Sequence, residues 1–329
     1  MNATDIDFFH SLLRERRESF LEWLSEASLL KHQPATQLDH LQQALRRLEA
    51  SGEIPCVACD GTVEPEVLLG SPTATVCFAC MGERELRTLE DDLRVAREVD
   101  QSLLPRRIPS TDCFQFGVHY QPSRILSGDF YDFLGQAGSN KVGILVGDVA
   151  GKGIPAGLLR STFQATFRAL SRQGLSPAEL LETANKQLVD AAHPGRFATV
   201  FYAVLSYETG TLVYANGGHN PPIIRRASGV VDLLGATGMV VGILPGARYE
   251  ECSITLEPGD VLTLYSDGVT EAENGAGEPF GETRLADLVG SLGDHSAQDV
   301  ATGTAAELTR FAPGEPSDDR TLVICQRLS

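Results

Sequence analysis

The chain has 329 residues, of which 42% are hydrophobic and 22% charged; that is length for two or three domains and enough apolar content for packed cores, which excludes wholesale disorder. The formal net charge of −17 is carried by both halves, so neither offers the clustered Lys and Arg that nucleic acid or an anionic membrane requires. No apolar run approaches the roughly 20 residues of a bilayer span, and the acidic start MNATDIDFFH lacks the basic and apolar regions of a secretory signal, so a cytoplasmic protein is expected.

In residues 5–30, Phe8, Phe9, Leu12, Leu13, Phe20 and Leu24 recur mostly at spacings of three and four, which predicts an amphipathic helix. Pro34 ends it. A second helix is predicted over about 36–50, with Leu38, Leu41, Leu45 and Leu48 in one stripe and Gly52 and Pro55 as its stop. Together they read as a helical hairpin over 1–52.

Residues 53–82 carry four of the seven cysteines. Cys56 and Cys59 form one CxxC pair, Cys77 and Cys80 another, with 17 residues between the pairs. Without an export signal this spacing favours a metal site over disulfides. Four thiolates make a closed tetrahedral structural site for one Zn²⁺, with no open position for catalysis. The other cysteines, Cys113, Cys252 and Cys325, are scattered.

Residues 83–106 read as a linker helix. Leu86, Leu89, Leu93, Ala96 and Leu103 follow the spacing of a coiled-coil seam, and Asp100 interrupts it. Such a helix either packs on its own domain or pairs with a second copy into a homodimer. Pro105 and Pro109 mark the boundary to a domain over 107–329.

From about 110 the segments FQFGVHYQP, KVGILVGDV, RFATVFYAVLSY, TLVYANGG, GVVDLL, SITLEPGDVLTLYSDG and TLVICQRL read as strands. Helices are predicted over about 155–173, 177–192, 283–292 and 296–311. Strand runs interrupted by paired helices suggest an α+β fold with mostly antiparallel sheets sandwiched by helices. Acidic residues stand at the strand ends: Asp129 in SGDFYD, Asp148 after KVGILVG, Asp267 after VLTLYS, and Asp318 and Asp319 before TLVICQRL. Gly128, Gly147 and Gly268 flank three of these sites and permit close backbone approach. Carboxylates that converge repel one another. Hard divalent cations, Mg²⁺ or Mn²⁺, neutralise such oxygen ligands, and two of them about 3.5–4 Å apart activate a water and clamp a phosphoryl group.

In chain order SGDFYD, GDVAGKGIPAGLL, RFATVFYAVL, YANGGHNPP, YSDGVTEAENGAGEPFG and DDRTLVI resemble the metal-dependent PPM (type 2C) serine/threonine protein phosphatases, in their SpoIIE/RsbU-like branch, over about 95–329. The resemblance implies an αββα sandwich with a binuclear Mn²⁺/Mg²⁺ centre and in-line attack on phosphorus by a bridging hydroxide. Asp129, Asp148, Asp267 and Asp318 would be the ligands and catalytic residues, with the backbone carbonyl of Val149 completing the set. Asp319 falls where relatives often carry Asn. The substrate usual in this branch is a phosphorylated STAS-domain anti-sigma antagonist.

Residues 36–90 resemble a DksA/TraR-type four-cysteine zinc finger. The turn LLKHQPATQLDH lacks the acidic DxxDxA tip of that family, which favours a regulatory or dimerisation module. The alternative is a zinc-finger protein that binds RNA polymerase and carries a non-catalytic phosphatase-like scaffold. Arg124 is read as a surface arginine near the acidic loop and His219 in NGGHNPP as a structural histidine. Lys152 lacks the surroundings of a nucleotide-binding P-loop.

Overall fold

The computed structural model describes residues 54–328 apart from 60, 65–66, 68–73, 136–139, 152, 192–196 and 293–294. The predicted hairpin over 1–52 lies outside the described residues. Contacts divide the chain between Ala96 and Arg97. Helix α1 (Glu83–Ser102) crosses this division, so its last residues, from Arg97 on, belong to the second unit.

The second unit holds two five-stranded sheets, antiparallel throughout. In chain order its strands are β1 (Phe114–Gln121), β2 (Asp129–Leu134), β3 (Lys141–Val149), β4 (Ala198–Ser206), β5 (Thr211–Gly217), β6 (Ile223–Arg225), β7 (Val231–Leu233), β8 (Cys252–Thr255), β9 (Val261–Tyr265) and β10 (Arg320–Arg327). One sheet runs β1-β10-β9-β6-β7 and the other β2-β3-β4-β5-β8. The helices are α2 (Ile154–Leu170), α3 (Pro177–Ala191), the single turn α4 (Asp267–Thr270), α5 (Glu282–Ser291) and α6 (Ala297–Phe311).

Strand alternation makes the layers, because successive side chains leave a strand on opposite faces. On β3, Val142, Ile144 and Val146 enter a core shared with Phe116, Leu262, Leu264 and Val323 of the other sheet. Leu145 and Val149 point the other way, to Phe163 and Phe167 of α2 and Leu181 and Leu188 of α3. On β9, Leu262 and Leu264 face the partner sheet, while Val261 and Tyr265 meet Leu285, Val289 and Val300 of α5 and α6. Three apolar layers thus separate four layers of secondary structure, the αββα order that the resemblance implies.

Two strands lie outside the sequence expectation, β2 and the short β6. Residues 253–268, read together as strand, divide between β8 and β9 in different sheets. The turn between them is closed by the Asp260 N–H on the Glu257 carbonyl (3.0 Å) and by the Glu257 N–H on the Asp260 carboxylate (2.8 Å). That turn swings the chain from one sheet to the other.

Asp100, which breaks the apolar seam in the sequence, is buried and paired with the guanidinium of Arg160 on α2, itself fully buried. Burial pushes the Asp100 carboxyl up, against the pull of Arg160. Next to this pair, Gln164 Nε2 donates to the Leu103 carbonyl at 2.9 Å, and Arg168 pairs with Asp132 of β2. Replacing Asp100 with Ala strands a desolvated guanidinium and is expected to cost about 3–5 kcal/mol. Urea unfolding checks this, with the apolar pair Asp100→Leu/Arg160→Met expected to recover most of the loss.

Candidate metal centre and cysteine cluster

Asp129 opens β2, and Asp148 stands directly opposite it near the end of β3. Like charges facing each other across an antiparallel pair are destabilising. Asp129 is also only 1% exposed. Burial drives its carboxyl well above the usual carboxylate range, and the charges of Asp148 and Asp319 push the same way. Two hydrogen bonds hold it in place: Thr321 Oγ1 donates to its Oδ2 at 2.6 Å, and its own N–H donates to Ser127 Oγ at 3.1 Å. A Cβ added at Gly128 would lie 3.1 Å from Asp148 Oδ1, 3.0 Å from the Val149 carbonyl oxygen and 3.5 Å from that of Gly151. Oxygens therefore gather at a point that any larger residue at 128 would crowd.

The second half of the site comes from the other sheet. Asp267 is the first residue of α4, and Asp318 precedes β10. A Cβ at Gly268 would lie 2.1 Å from the Asp319 carbonyl oxygen and 3.1 Å from Asp318 Cβ, so the glycine lets the start of α4 settle against the approach to β10. The Ser266 N–H donates to the Thr321 carbonyl at 3.1 Å, and Ser266 Oγ donates to the Asp319 carbonyl at 3.2 Å. The halves join where the Gly128 N–H donates to Asp319 Oδ2 at 2.8 Å. Asp148, Asp267 and Asp318 are half-buried, so this edge is open to solvent while Asp129 is not.

Every donor gathered here is a hard oxygen, with no thiol or imidazole among the residues singled out. Such a set suits Mg²⁺ or Mn²⁺. A buried carboxylate facing a second one is the kind of uncompensated charge that a cation relieves. Among the described residues, only the four cysteines form a group of three or more whose ligand atoms all lie within 4.8 Å of one another. The aspartates do not form such a group.

His219 lies in the same neighbourhood but in another role. Its Nδ1 is 2.9 Å from Thr199 Oγ1, and Thr199 is the β4 partner of Asp148. Burial lowers its pKa to about 4, so the ring is neutral at neutral pH. Asn216 fixes the turn around it, accepting from the His219 N–H at 2.8 Å and donating to the His219 carbonyl at 3.1 Å. Arg124 is exposed, and its Cδ would stand 3.9 Å from a Cβ at Gly153, the residue capping the N-terminus of α2. Lys152 lies outside the described residues.

The sequence offered no signal for Thr321 or Ser127 beside Asp129. Hydroxyls in a strand and in a loop are common, and only the tertiary pairing selects these two.

In the first unit, Cys56, Cys59, Cys77 and Cys80 form the quartet just described. The Cys59 and Cys77 sulfurs are 3.6 Å apart. A tetrahedral Zn²⁺ with bonds of about 2.3 Å spaces its sulfurs at roughly 3.8 Å. Backbone N–H groups of Ala58 and Cys77 point at Cys56 Sγ, each at 3.4 Å, and that of Gly61 points at Cys59 Sγ at 3.4 Å. The Cys77 N–H is the main reason the Cys56 thiol falls to about 6, while hydrogen bonding to Cys59 chiefly pushes Cys80 up to about 12. Ile54, Val63 and Val67 of the same unit are buried, and Glu64 Oε2 accepts from the Phe78 N–H at 2.9 Å. The arrangement is compatible with a zinc finger.

Comparison with known proteins converges on the second unit. Residues 138–328 match the family model for stage II sporulation protein E (SpoIIE). The phosphoserine phosphatase RsbU of Bacillus subtilis (strain 168) is 30% identical, with 73% of this chain and 71% of RsbU aligned. Among solved structures, the RsbU and RsbW domains of Rv1364c from Mycobacterium tuberculosis align at a TM-score of 0.59 with 25% identity, over 69% of this chain and 62% of that one. The SiaA-PP2C domain of Pseudomonas aeruginosa aligns at 0.64 with 21% identity, over 73% and 96%. The fold is also that of the phosphatase PstP, solved with two manganese ions (TM-score 0.50, 14% identity, 66% and 99% covered). With the sandwich and its acidic edge in view, the chain belongs to the SpoIIE family of PP2C-type protein serine/threonine phosphatases.

Proposed function

We propose that the protein hydrolyses phosphoserine or phosphothreonine on a regulatory protein, a STAS-domain anti-sigma antagonist, and that its cysteine-bearing N-terminal module regulates this activity. The buried Asp129 opposed by Asp148 carries the reading, because it is an arrangement that makes chemical sense around cations. RsbU is named a phosphoserine phosphatase, and the Rv1364c structure joins an RsbU to an RsbW domain, which supports a substrate among partner-switching proteins.

On this reading Asp129, Asp148, Asp267 and Asp318, with the Val149 carbonyl, hold two Mn²⁺ or Mg²⁺ ions. When bound, these supply positive charge for the phosphoryl oxygens and an activated water. The chain does the rest by position. Thr321 fixes one oxygen of Asp129. Neutral His219 holds Thr199 beside Asp148 without adding charge. The half-buried Asp148, Asp267 and Asp318 present the face that a phosphorylated side chain reaches. Hydrolysis of p-nitrophenyl phosphate and of a phosphoserine peptide is expected to require Mn²⁺ or Mg²⁺ and to fall by about 10²–10³-fold or more in Asp148→Asn. An Asp148→Asn protein with wild-type turnover would overturn the reading.

The four cysteines are proposed to hold one structural Zn²⁺. Metal analysis of the purified full chain is expected to find one zinc per molecule. Cys77→Ser is expected to lose it, and with it the order of the first unit, seen as accelerated hydrogen exchange over 54–80.

The homodimer is proposed to form through α1. Val95 and Val99 lie one turn apart on this helix and are 49% and 55% exposed, a spacing that makes one apolar stripe. Sedimentation equilibrium is expected to show a dimer that Val95→Glu/Val99→Glu converts to monomer; a wild-type monomer at tens of micromolar excludes it.

A further inference from the structure

Asp318 and Asp319 are neighbours in the chain, yet their surroundings differ. Asp318 is half-buried, whereas Asp319 is only 8% exposed and turned into the loop that leads to Asp129. Four donors meet its carboxylate. Oδ1 accepts from the Ser123 N–H at 2.7 Å and from Ser123 Oγ at 2.9 Å. Oδ2 accepts from Ser127 Oγ at 2.7 Å and from the Gly128 N–H at 2.8 Å. A carboxylate offers about four lone-pair directions, so none remains for a further ligand.

We propose that Asp319 is a positioning residue, an anionic strap that draws the 123–128 loop onto the start of β10 and thereby sets Asp129 in place to bind metal. The inference rests on the metal-dependent reading above. Asp319 acts at one remove: Ser127, held by Asp319, in turn accepts from the Asp129 N–H at 3.1 Å. The same short stretch serves Asp129 twice, since Thr321, two residues on, donates to its carboxylate. It also serves Asp318, whose Oδ1 accepts from the Asp319 N–H at 2.9 Å. From the opposite side the loop is wedged by α2: a Cβ at Gly157 would lie 2.6 Å from Leu126 Cβ. The loop therefore sits between a helix that leaves it no room and a carboxylate that holds it by charge-assisted bonds, which are roughly twice as strong as neutral ones.

Chemistry distinguishes this carboxylate from its amide. Asn at 319 would present one NH₂ group to one of the two donor pairs. Ser123 Oγ or Ser127 Oγ can rotate to accept from it, but the Ser123 and Gly128 N–H groups cannot. Either orientation of the amide therefore sets N–H against N–H at one end of the loop.

The test compares wild type, Asp319→Asn, Ser127→Ala and the double variant, using full-length protein freed of catalytic metal, with folding monitored by circular dichroism. Mn²⁺ binding is read from the electron paramagnetic resonance signal of the free ion, and loop order from hydrogen exchange over 123–128. Asp319→Asn is expected to raise the Mn²⁺ dissociation constant about 10–100-fold and to speed exchange of the Ser123 and Gly128 amides. Ser127→Ala is expected to do the same more weakly. The double variant should be no worse than Asp319→Asn alone, and turnover of Asp319→Asn should recover toward wild type at high Mn²⁺. An Asp319→Asn protein that excess Mn²⁺ fails to rescue, beside a Ser127→Ala protein of wild-type affinity, would make Asp319 a ligand and overturn the inference. Wild type that binds and hydrolyses while both variants match it would overturn the inference alone; wild type that binds no Mn²⁺ would overturn the metal reading together with it.

Discussion

Two carboxylates facing each other across a β-ladder are the constraint around which the second unit is arranged. Asp129 and Asp148 are cross-strand partners, and Asp129 is shut off from water. Nothing about β-sheet stability favours that placement; it opposes burial of charge and adds repulsion to it. The chain tolerates it because neighbouring elements are held tightly. The hydroxyl of Thr321, the strap of Asp319 and the glycines at 128 and 268 bring backbone and donors close enough to keep the acidic edge in one geometry. On the proposed reading, cations complete the compensation that the protein alone leaves unfinished.

The sandwich supplies the stiffness. Asp129 and Asp148 belong to one sheet, Asp318 leads into β10 of the other, and Asp267 opens the turn that follows β9, the strand paired with β10. A site split between two sheets is only as well defined as their packing. Here an apolar layer from Phe116 and Ile144 to Leu264 and Val323 fills the space between them, and close-packed interiors resist displacement. The Arg160–Asp100 pair extends the same logic to the end of α1. A charge pair in an apolar setting contributes little net stability but is costly to break, so it ties that helix end to α2, the helix that follows the Asp148 loop.

The first unit solves a different problem. Among its described residues, Ile54, Val63 and Val67 are buried. Small segments of this kind are commonly reinforced by a cross-link or a bound metal. Four sulfurs drawn together under backbone N–H donors provide the natural place for one, which is why zinc is the proposed occupant rather than a set of buried thiols.

Much of this was legible in one dimension. Period-2 apolar runs such as KVGILVGDV set β3 at its observed limits, since alternation is a local property. The CxxC spacing announced the sulfur quartet, because two closely spaced pairs leave few other uses. The acidic strand ends and their glycines pointed to a carboxylate edge. Other features depended on partners distant in sequence. Whether Asp100 was a flaw in an apolar seam or half of a buried pair turned on Arg160, sixty residues away. That SITLEPGDVLTLY feeds two sheets rather than one was decided by distant partners, β5 for β8 and both β6 and β10 for β9. The differing surroundings of Asp318 and Asp319 were likewise invisible in the DD pair, for the serines that saturate the second carboxylate lie more than 190 residues upstream. Local pattern determined most of the strands and helices and the thiol cluster; tertiary packing decided the remaining strands, β2 and β6, and what each charged group faces, because desolvation and hydrogen bonding belong to the surroundings of a side chain and not to its place in the chain.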